Sequence, residues 1–402
     1  MKTADPELMR AINRFHVIDT IRREAPIARV EIADRTELSR ATVSAITGAL
    51  IEDGLVNAVH VGSADTGARG RPRVLLELNG AAYHVAGVML SVDRICVAIT
   101  DFKGSVLAEQ VHQAELSRHS PGRIADLIAE AITACAAAAG REVADVSAIG
   151  IGLPGMIDGP AGLCHWSPVL GPSPVAFAGL VAMRTGIRTV IETQANLIAL
   201  AEHWFGHGRG LRSFAVLTIT DTLGLGLMTE GRLYRGAGGI GMAFGHMKLT
   251  ADGPLCGCGQ RGCLDITASE AGLVAQALAC DAVDAGMAAA PALEALTARA
   301  LAGEHQAAAL FHRAGEGLGR GIANLINLLS PPRLIICGDA RRMDALRQGG
   351  LLPAIKTATL PLLRDSTEIV FHSWTDAMLA QGAASIVLRQ IDEQPWSSPS
   401  GI

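Results

Sequence analysis

In the stretch GHMKLTADGPLCGCGQRGC, residues 245–263, one histidine precedes three cysteines spaced C-x-C-x4-C. The chain holds eight cysteines in all, so three so close together form a cluster rather than scatter. Zinc prefers thiolate and imidazole ligands, and four protein ligands make a closed, structural site with no position left for a reactive water. His246, Cys256, Cys258 and Cys263 supply such a set. A structural Zn2+ is therefore the expected cofactor, and a metal-bound hydroxide is not expected. Gly257, Gly259 and Gly262 give the backbone freedom to turn the three sulfurs inward. The competing reading is three free thiols in a surface loop. Cys96, Cys135, Cys164, Cys280 and Cys337 stand singly in apolar or alanine-rich surroundings and read as buried small hydrophobes.

A second set of chemistry-bearing residues lies in the first eighty positions. Leu8, Ile12, Phe15, Ile18 and Ile21 recur at helical spacing, and Pro26 ends that helix. A short helix, RVEIADRT, follows, then ELSRATVSAITGALIEDGLV. Ser39 suits the N-cap of this third helix, Val43, Ile46 and Leu50 form its inward stripe, and Gly54 is placed to stop it. Arg40, Thr42 and Ser44 fall off the stripe near the helix start, where a recognition helix enters the major groove. Two short strands, LVNAVHV and RVLLELN, then flank the basic loop GSADTGARGRP. That is a winged helix-turn-helix, and Arg69, Arg71 and Pro72 at the wing tip suit a narrow, electronegative minor groove. The competing reading is a three-helix bundle with no role on DNA.

The elements that must carry these residues are set by the rest of the chain. At 402 residues, about half of them apolar, two domains with large cores are expected. No uninterrupted apolar run is long enough to span a bilayer, and the N-terminus lacks the apolar segment of a signal peptide. A cytoplasmic protein with reduced cysteines and no membrane partner is the expectation. The net charge of −5 argues against nonspecific nucleic-acid binding. Residues 1–82 are balanced, with 11 Lys/Arg against 11 Asp/Glu, yet gather Arg69, Arg71 and Arg73 in one loop. From Tyr83 onward, YHVAGVMLSV, RICVAITDFKG and VLAEQVHQAEL read as successive strands, followed by the helix RIADLIAEAITACAAAAG. Strands recur at VSAIGIGLPGMID, TVIET, SFAVLTITD and RLIICGD, with helices between them, which argues for α/β layers. DAGMAAAPALEALTARALAG reads as a helix broken at its proline, and AMLAQGAASIVLRQIDE as a closing helix.

The wing sequence GRPRVLLELN, then GIGLPGMID, then GHMKL before CGCGQRGCLD, together resemble the ROK family of repressors and sugar kinases over essentially the whole chain. The resemblance implies an α/β, actin-like sugar-kinase fold of two lobes about a cleft, here behind an N-terminal winged helix-turn-helix. The expected division is a DNA-binding domain at residues 1–80 and an effector-binding and oligomerisation domain at 81–402. The family also implies the zinc site, dimers or tetramers, double-stranded operator DNA as partner, and response to a sugar or a partner protein. In related members the zinc-bound imidazole touches the bound sugar with its other nitrogen.

Against the family pattern, three parts needed for phosphoryl transfer are altered. Met89 stands where the first strand's phosphate-loop aspartate would be. Thr220-Asp221-Thr222 replaces the usual Gly-Thr-Gly, and Thr193-Gln194 replaces the Asn-Asp that holds the catalytic base. No catalytic residue is expected, and the enzyme reading, an active sugar kinase carrying a DNA module, stands as the alternative. Met242-Ala243-Phe244-Gly245-His246 replaces Gly-Glu-x-Gly-His, losing a sugar-binding carboxylate, and Asp265 replaces a glutamate. Val169 aligns with a family asparagine. Gly155, Thr193, Gln194, His246 and Asp265 remain as candidate effector residues, and a vestigial pocket is the competing reading.

Overall fold

The structure is a computed structural model that describes residues 6–60, 74–236 and 239–393. It divides into two compact units: the described residues within Met1–Gly152, Ala176–Ile191 and Leu379–Ile402, and those within Leu153–Val175 and Glu192–Met378.

The first unit begins with α1 (Pro6–Glu24), β1 (Ile27–Ala28), α2 (Arg29–Thr36), α3 (Arg40–Glu52), β2 (Val56–His60) and β3 (Val74–Leu78). The stripe of α1 is buried through Phe15, Ile18 and Ile21, and it meets Ile32 of α2, Val43 and Leu50 of α3, and Leu76 of β3 in one small core. Ile46 is only half-buried, and Thr47 takes the inward place, its hydroxyl donating to the Val43 carbonyl. β2 and β3 pair antiparallel as the wing strands, and β1 adds a third strand that the sequence pattern did not reveal. Between α2 and α3 the chain turns over Glu37, Leu38 and Ser39, with Glu37 in the left-handed region at φ +57°.

A five-stranded sheet follows in the same unit, ordered β10-β7-β4-β5-β6. Its strands are β4 (His84–Leu90), β5 (Arg94–Asp101), β6 (Val106–Gln113), β7 (Val146–Leu153) and β10 (Thr189–Thr193), with α4 (Pro121–Ala138) packed against β5 and β6. Every residue of β4 is buried, as expected for a strand covered on both faces. β4–β5–β6 is an antiparallel meander, and β7 runs parallel to β4. The short hairpin β8 (Met156–Asp158) and β9 (Leu163–Trp166) belongs to the second unit, and α5 (Phe177–Thr185) to the first.

The second unit repeats the plan. α6 (Gln194–Phe205) is followed by the meander β11 (Phe214–Ile219), β12 (Leu223–Thr229) and β13 (Arg232–Tyr234), and the sheet order is β13-β12-β11-β14-β15. β14 (Arg333–Gly338) and β15 (Glu368–His372) are parallel additions. α7 (Leu264–Ala268), α8 (Glu270–Ala279), α9 (Ala289–Leu301) and α10 (His305–Leu329) come between β13 and β14 in sequence, and α11 (Ala340–Gln348) and α12 (Leu351–Ala358) between β14 and β15; α13 (Asp376–Glu393) closes the described chain and from Leu379 onward belongs to the first unit. Leu217 and Ile336 of the sheet pack with Leu310, Leu318 and Ile322 of α10 in the unit's core. Pro291 does not break a helix. α9 starts at Ala289, so the proline lies in the first turn, where its missing N–H leaves no bond unmade. Cys96, Cys135, Cys164 and Cys337 are buried as expected, whereas Cys280 is exposed at the end of α8. No helix among the described residues is long and apolar enough to cross a membrane.

Candidate metal centre and ligand pocket

His246 ends a single 3-10 turn, Phe244–His246, and Cys263 immediately precedes α7. The segments around them are laced together. Leu249 N–H donates to Gly262 O and Leu264 N–H to Met247 O, both at 2.9 Å. Inside the cysteine loop, Cys256 N–H donates to Gln260 O and Gly259 N–H to Cys256 O. Gly259 (φ +82°) and Gly262 (φ +74°) make the turns, and a Cβ on Gly262 would lie 1.8 Å from the Thr250 carbonyl oxygen. Gly257 is in no such region, so the turning falls to two glycines rather than the three expected.

The ligand atoms of His246, Cys256, Cys258 and Cys263 lie within 4.8 Å of one another. Cys258 Sγ and Cys263 Sγ are 3.6 Å apart, and Cys256 Sγ is 3.8 Å from His246 Nδ1. A tetrahedral ion with bonds of about 2.3 Å to sulfur sets its ligands about 3.8 Å apart, so the cluster has the dimensions to hold a metal. Burial pushes the Cys256 thiol up to about 12, so in the bare protein this sulfur is protonated, and a divalent cation is what would make it a thiolate. Lys248 Nζ donates to Cys263 Sγ at 2.8 Å, and this contact raises the lysine pKa. The sequence reading missed Lys248. Its signal was positional: two residues past a ligand, in a bridge that pairs it with Cys263.

The same histidine lines a pocket that lies wholly within the second unit. Gly155, Thr193, Gln194, His246 and Asp265, the five residues expected from the sequence, all line it, so the structure brings together side chains spread over more than a hundred positions. Thr193 caps α6 through Asn196 N–H, and Gln194 opens that helix, its Oε1 accepting from Thr220 Oγ1 at 3.4 Å. Asp265 Oδ1 accepts from Leu223 N–H at 2.7 Å, and burial raises its pKa. Val169, where the family asparagine was expected, is buried and is not among the residues lining the pocket. Apolar lining residues that the sequence reading passed over are Met156, Trp166 and Ile240, and Met242 and Ala243, noted there only as substitutions, line the pocket too.

The DNA-facing candidates are also positioned. Ser39 caps α3, accepting from Thr42 N–H at 3.1 Å, with the two hydroxyls 2.8 Å apart. Arg40 and Ser44 are exposed and Thr42 half-buried, while Arg29 is turned inward, its Nε donating to Thr47 Oγ1. Arg69, Arg71 and Pro72 lie outside the described residues.

Comparison with known proteins extends these observations. A model described as ROK family matches residues 85–390, and one described as winged helix-turn-helix DNA-binding matches residues 10–57. The chain is 26% identical over 388 residues to the DNA-binding transcriptional dual regulator NagC of Escherichia coli strain K12, covering 95% of this chain and 94% of that protein. It is 29% identical to the xylose repressor of Caldicellulosiruptor bescii, over 83% of this chain and 84% of the other. Among solved structures, a ROK family transcriptional regulator described as a homologue of the E. coli MLC protein superposes with a TM-score of 0.75 at 25% identity, covering 96% of this chain and 98% of its own. A ROK family glucokinase from Streptomyces griseus, in complex with glucose and AMPPNP, gives 0.64 at 25% identity over 75% of this chain and 98% of its own.

Proposed function

The chain belongs to the ROK family, and from that premise we propose that it is a DNA-binding transcriptional regulator, a repressor of genes for carbohydrate use. Residues 1–80 are its DNA-binding domain and residues 81–402 an effector-sensing, oligomer-forming domain that does not transfer phosphate. The observation that carries the reading is the capped α3, presenting Arg40 and Ser44 to solvent in a helix-turn-helix with paired wing strands. Relatives over nearly the full length are named N-acetylglucosamine repressor and xylose repressor, which supports the carbohydrate assignment. Arg69, Arg71 and Pro72 extend the contact into the minor groove.

The loss of phosphotransfer is supported by charge. The Thr220–Thr222 turn, the start of α8 and the start of α11 gather Asp221, Glu270 and Asp339 around Arg342. Burial, with Asp221 and Asp339 adding to it against the Arg342 guanidinium, pushes Glu270 up to about 7. Nucleotide phosphates would meet carboxylates here, where a kinase needs donors and a cation. Gln194 is a neutral amide and cannot take a sugar hydroxyl's proton. The metal at His246, Cys256, Cys258 and Cys263 is a structural Zn2+ that staples the loop carrying one wall of the pocket. It supplies cross-linking and no chemistry, since all its positions are held by protein.

Selection of a binding site from random duplexes by the zinc-loaded full chain tests this reading. A two-fold-symmetric site with half-sites spaced by helical turns is expected of a dimer or tetramer. Fluorescence anisotropy on that site should show Arg40→Ala weakening binding by about 1–3 kcal/mol. Failure to enrich any sequence would overturn the proposal.

A further inference from the structure

The pocket that Gln194 and His246 share differs in character from one built to grip a ring of hydroxyls, and the difference points to a ligand class. Among its described lining residues none is Lys or Arg, and the one carboxylate, Asp265, already accepts the Leu223 N–H. A phosphorylated ligand would find no counter-charge there, only a partly desolvated acid. The other polar side chains in the lining are few: Thr193, Gln194, Thr218, Thr222 and His246. Most of the rest is apolar. Met156 and Ile240, each 38% exposed, are among the large hydrophobics left open to solvent, and both line this pocket, as does Trp166, the strand partner of Met156. Exposed apolar side chains gathered at a concave site are what a bound apolar group would cover.

A separate observation concerns Met242. It stands at φ +67°, in the left-handed region where a residue with a Cβ is strained and glycine is at ease. Its side chain packs against the second unit's hydrophobic core and also lines the pocket, so the thioether links that wall of the pocket to the core. Methionine sulfur and an indole both make favourable contacts with aromatic rings.

We propose that the pocket binds a neutral glycoside with an apolar, aromatic aglycone, the sugar's hydroxyls meeting Thr193, Gln194 and His246 and the aglycone lying against Met156, Trp166 and Met242. The inference rests on the regulator reading and names the class of effector it senses. Neither a free sugar nor a sugar phosphate is the cognate ligand.

Isothermal titration of the zinc-loaded full chain tests this with phenyl and methyl β-glycosides of xylose, glucose and N-acetylglucosamine, the three free sugars, and the 6-phosphates of the last two. For at least one sugar head the phenyl glycoside should bind about tenfold or more tighter than the free sugar, with no measurable phosphate binding. Met242→Gly, whose backbone suits glycine but which gives up a side chain packed on the core, should still fold and bind duplex, with a lowered melting temperature, and lose most of that preference. Ala243→Glu, which restores a carboxylate for hydroxyls, should narrow it by improving the free sugar. Free sugar or phosphate binding as tightly as the phenyl glycoside, or no member of the set binding, overturns the proposal. Duplex binding measured on the same preparation separates the two readings. A chain that binds DNA and no glycoside sinks this inference alone, and one that binds phenyl glycosides and selects no duplex upholds the pocket and sinks the regulator.

Discussion

Lys248 places an ammonium 2.8 Å from Cys263 Sγ, at the rim of a site whose three thiolates would outweigh the charge of a divalent ion by one. An outer cation that donates to a ligand sulfur neutralises that excess and fixes the sulfur's orientation. Lys248→Ala is therefore expected to weaken zinc binding by roughly 10–100-fold, read by competition with a chromophoric chelator, while Lys248→Arg retains most of it. Equal affinity in wild type and Lys248→Ala would remove the lysine from the site. Cys263→Ser should abolish stoichiometric zinc altogether and lower the melting temperature, because the loop loses its cross-link. The four ligands were legible in the sequence because they lie within eighteen residues and their types are rare in combination. Lys248 was not, because a lysine near a motif is unremarkable until a backbone bridge sets it against one particular sulfur. Met242 was visible as a substitution, but its strained backbone was not.

A second residue pair lay beyond the reach of sequence. Arg22 of α1 donates through Nη2 to both Asp392 oxygens, at 2.8 and 3.0 Å, and through Nη1 to the Phe102 carbonyl, with both side chains 0% exposed. The partners are separated by 370 positions, and nothing local in either segment announces the other. Burial pushes Asp392 up to about 6 against the pull of Arg22, with Asp19 adding to the rise and Arg389 opposing it. A carboxyl whose folded pKa stands above its unfolded value of about 3.9 stabilises most when protonated, below about pH 4, and that contribution is lost as pH rises through about 6. The effect is a few kcal/mol at most. Urea unfolding between pH 4.5 and 6.5 should show wild-type stability falling faster with pH than that of Asp392→Asn. Parallel slopes would sink the assignment. Arg22→Ala, which strands the acid, is expected to cost about 3–5 kcal/mol.

At the scale of elements, glycines decide which helices can sit on which strands. A Cβ on Gly87 of β4 would lie 1.9 Å from the Ala380 carbonyl oxygen, and one on Gly150 of β7 would lie 2.0 Å from that of Ala383. Both contacts are with the backbone of α13, so no side-chain rotation can relieve them. Gly87→Ala or Gly150→Ala must lift α13 from its sheet, at an expected cost of several kcal/mol. Faster limited proteolysis near residues 376–393 and a lowered melting temperature are the readouts. A melting point within a degree of wild type would mean the helix is not seated this closely. The same device explains a strand that periodicity did not reveal. β12, LGLGLMT, looks too glycine-rich for a strand, yet Gly224 and Gly226 are where α6 comes down, with Ala195 in the way of any Cβ. Long apolar strands such as β4, β7 and β14 were legible because burial on both faces writes a continuous hydrophobic run. β13 and β15 were not, because three residues with one buried, or five with none buried, carry too little pattern.

At the scale of the whole molecule the two five-stranded sheets share one plan, a three-stranded meander extended on its first strand by two more strands, although no fixed repeat period shows in the residues. The plan the two sheets share lies in strand order and direction rather than in residues, so a kinase-like plan is compatible with the proposed replacement of its phosphate contacts. That replacement makes a prediction about restoration. Gln194→Asp returns a potential base to the start of α6, and if the base were all that is missing, sugar-dependent ATP turnover should appear, since such a group is worth about 100–10,000-fold. Asp221, Glu270 and Asp339 would still confront the nucleotide, and Met89 is buried within β4, unable to order a hydrated magnesium ion. Neither wild type nor Gln194→Asp should form ADP in a coupled assay across a panel of hexoses, pentoses and N-acetylhexosamines. Sugar-dependent turnover in Gln194→Asp alone would show that the phosphate site survives and that the acids around Arg342 are no barrier. Turnover in wild type, abolished by Gln194→Ala, would return the chain to the kinases and leave its helix-turn-helix as an addition to a working enzyme.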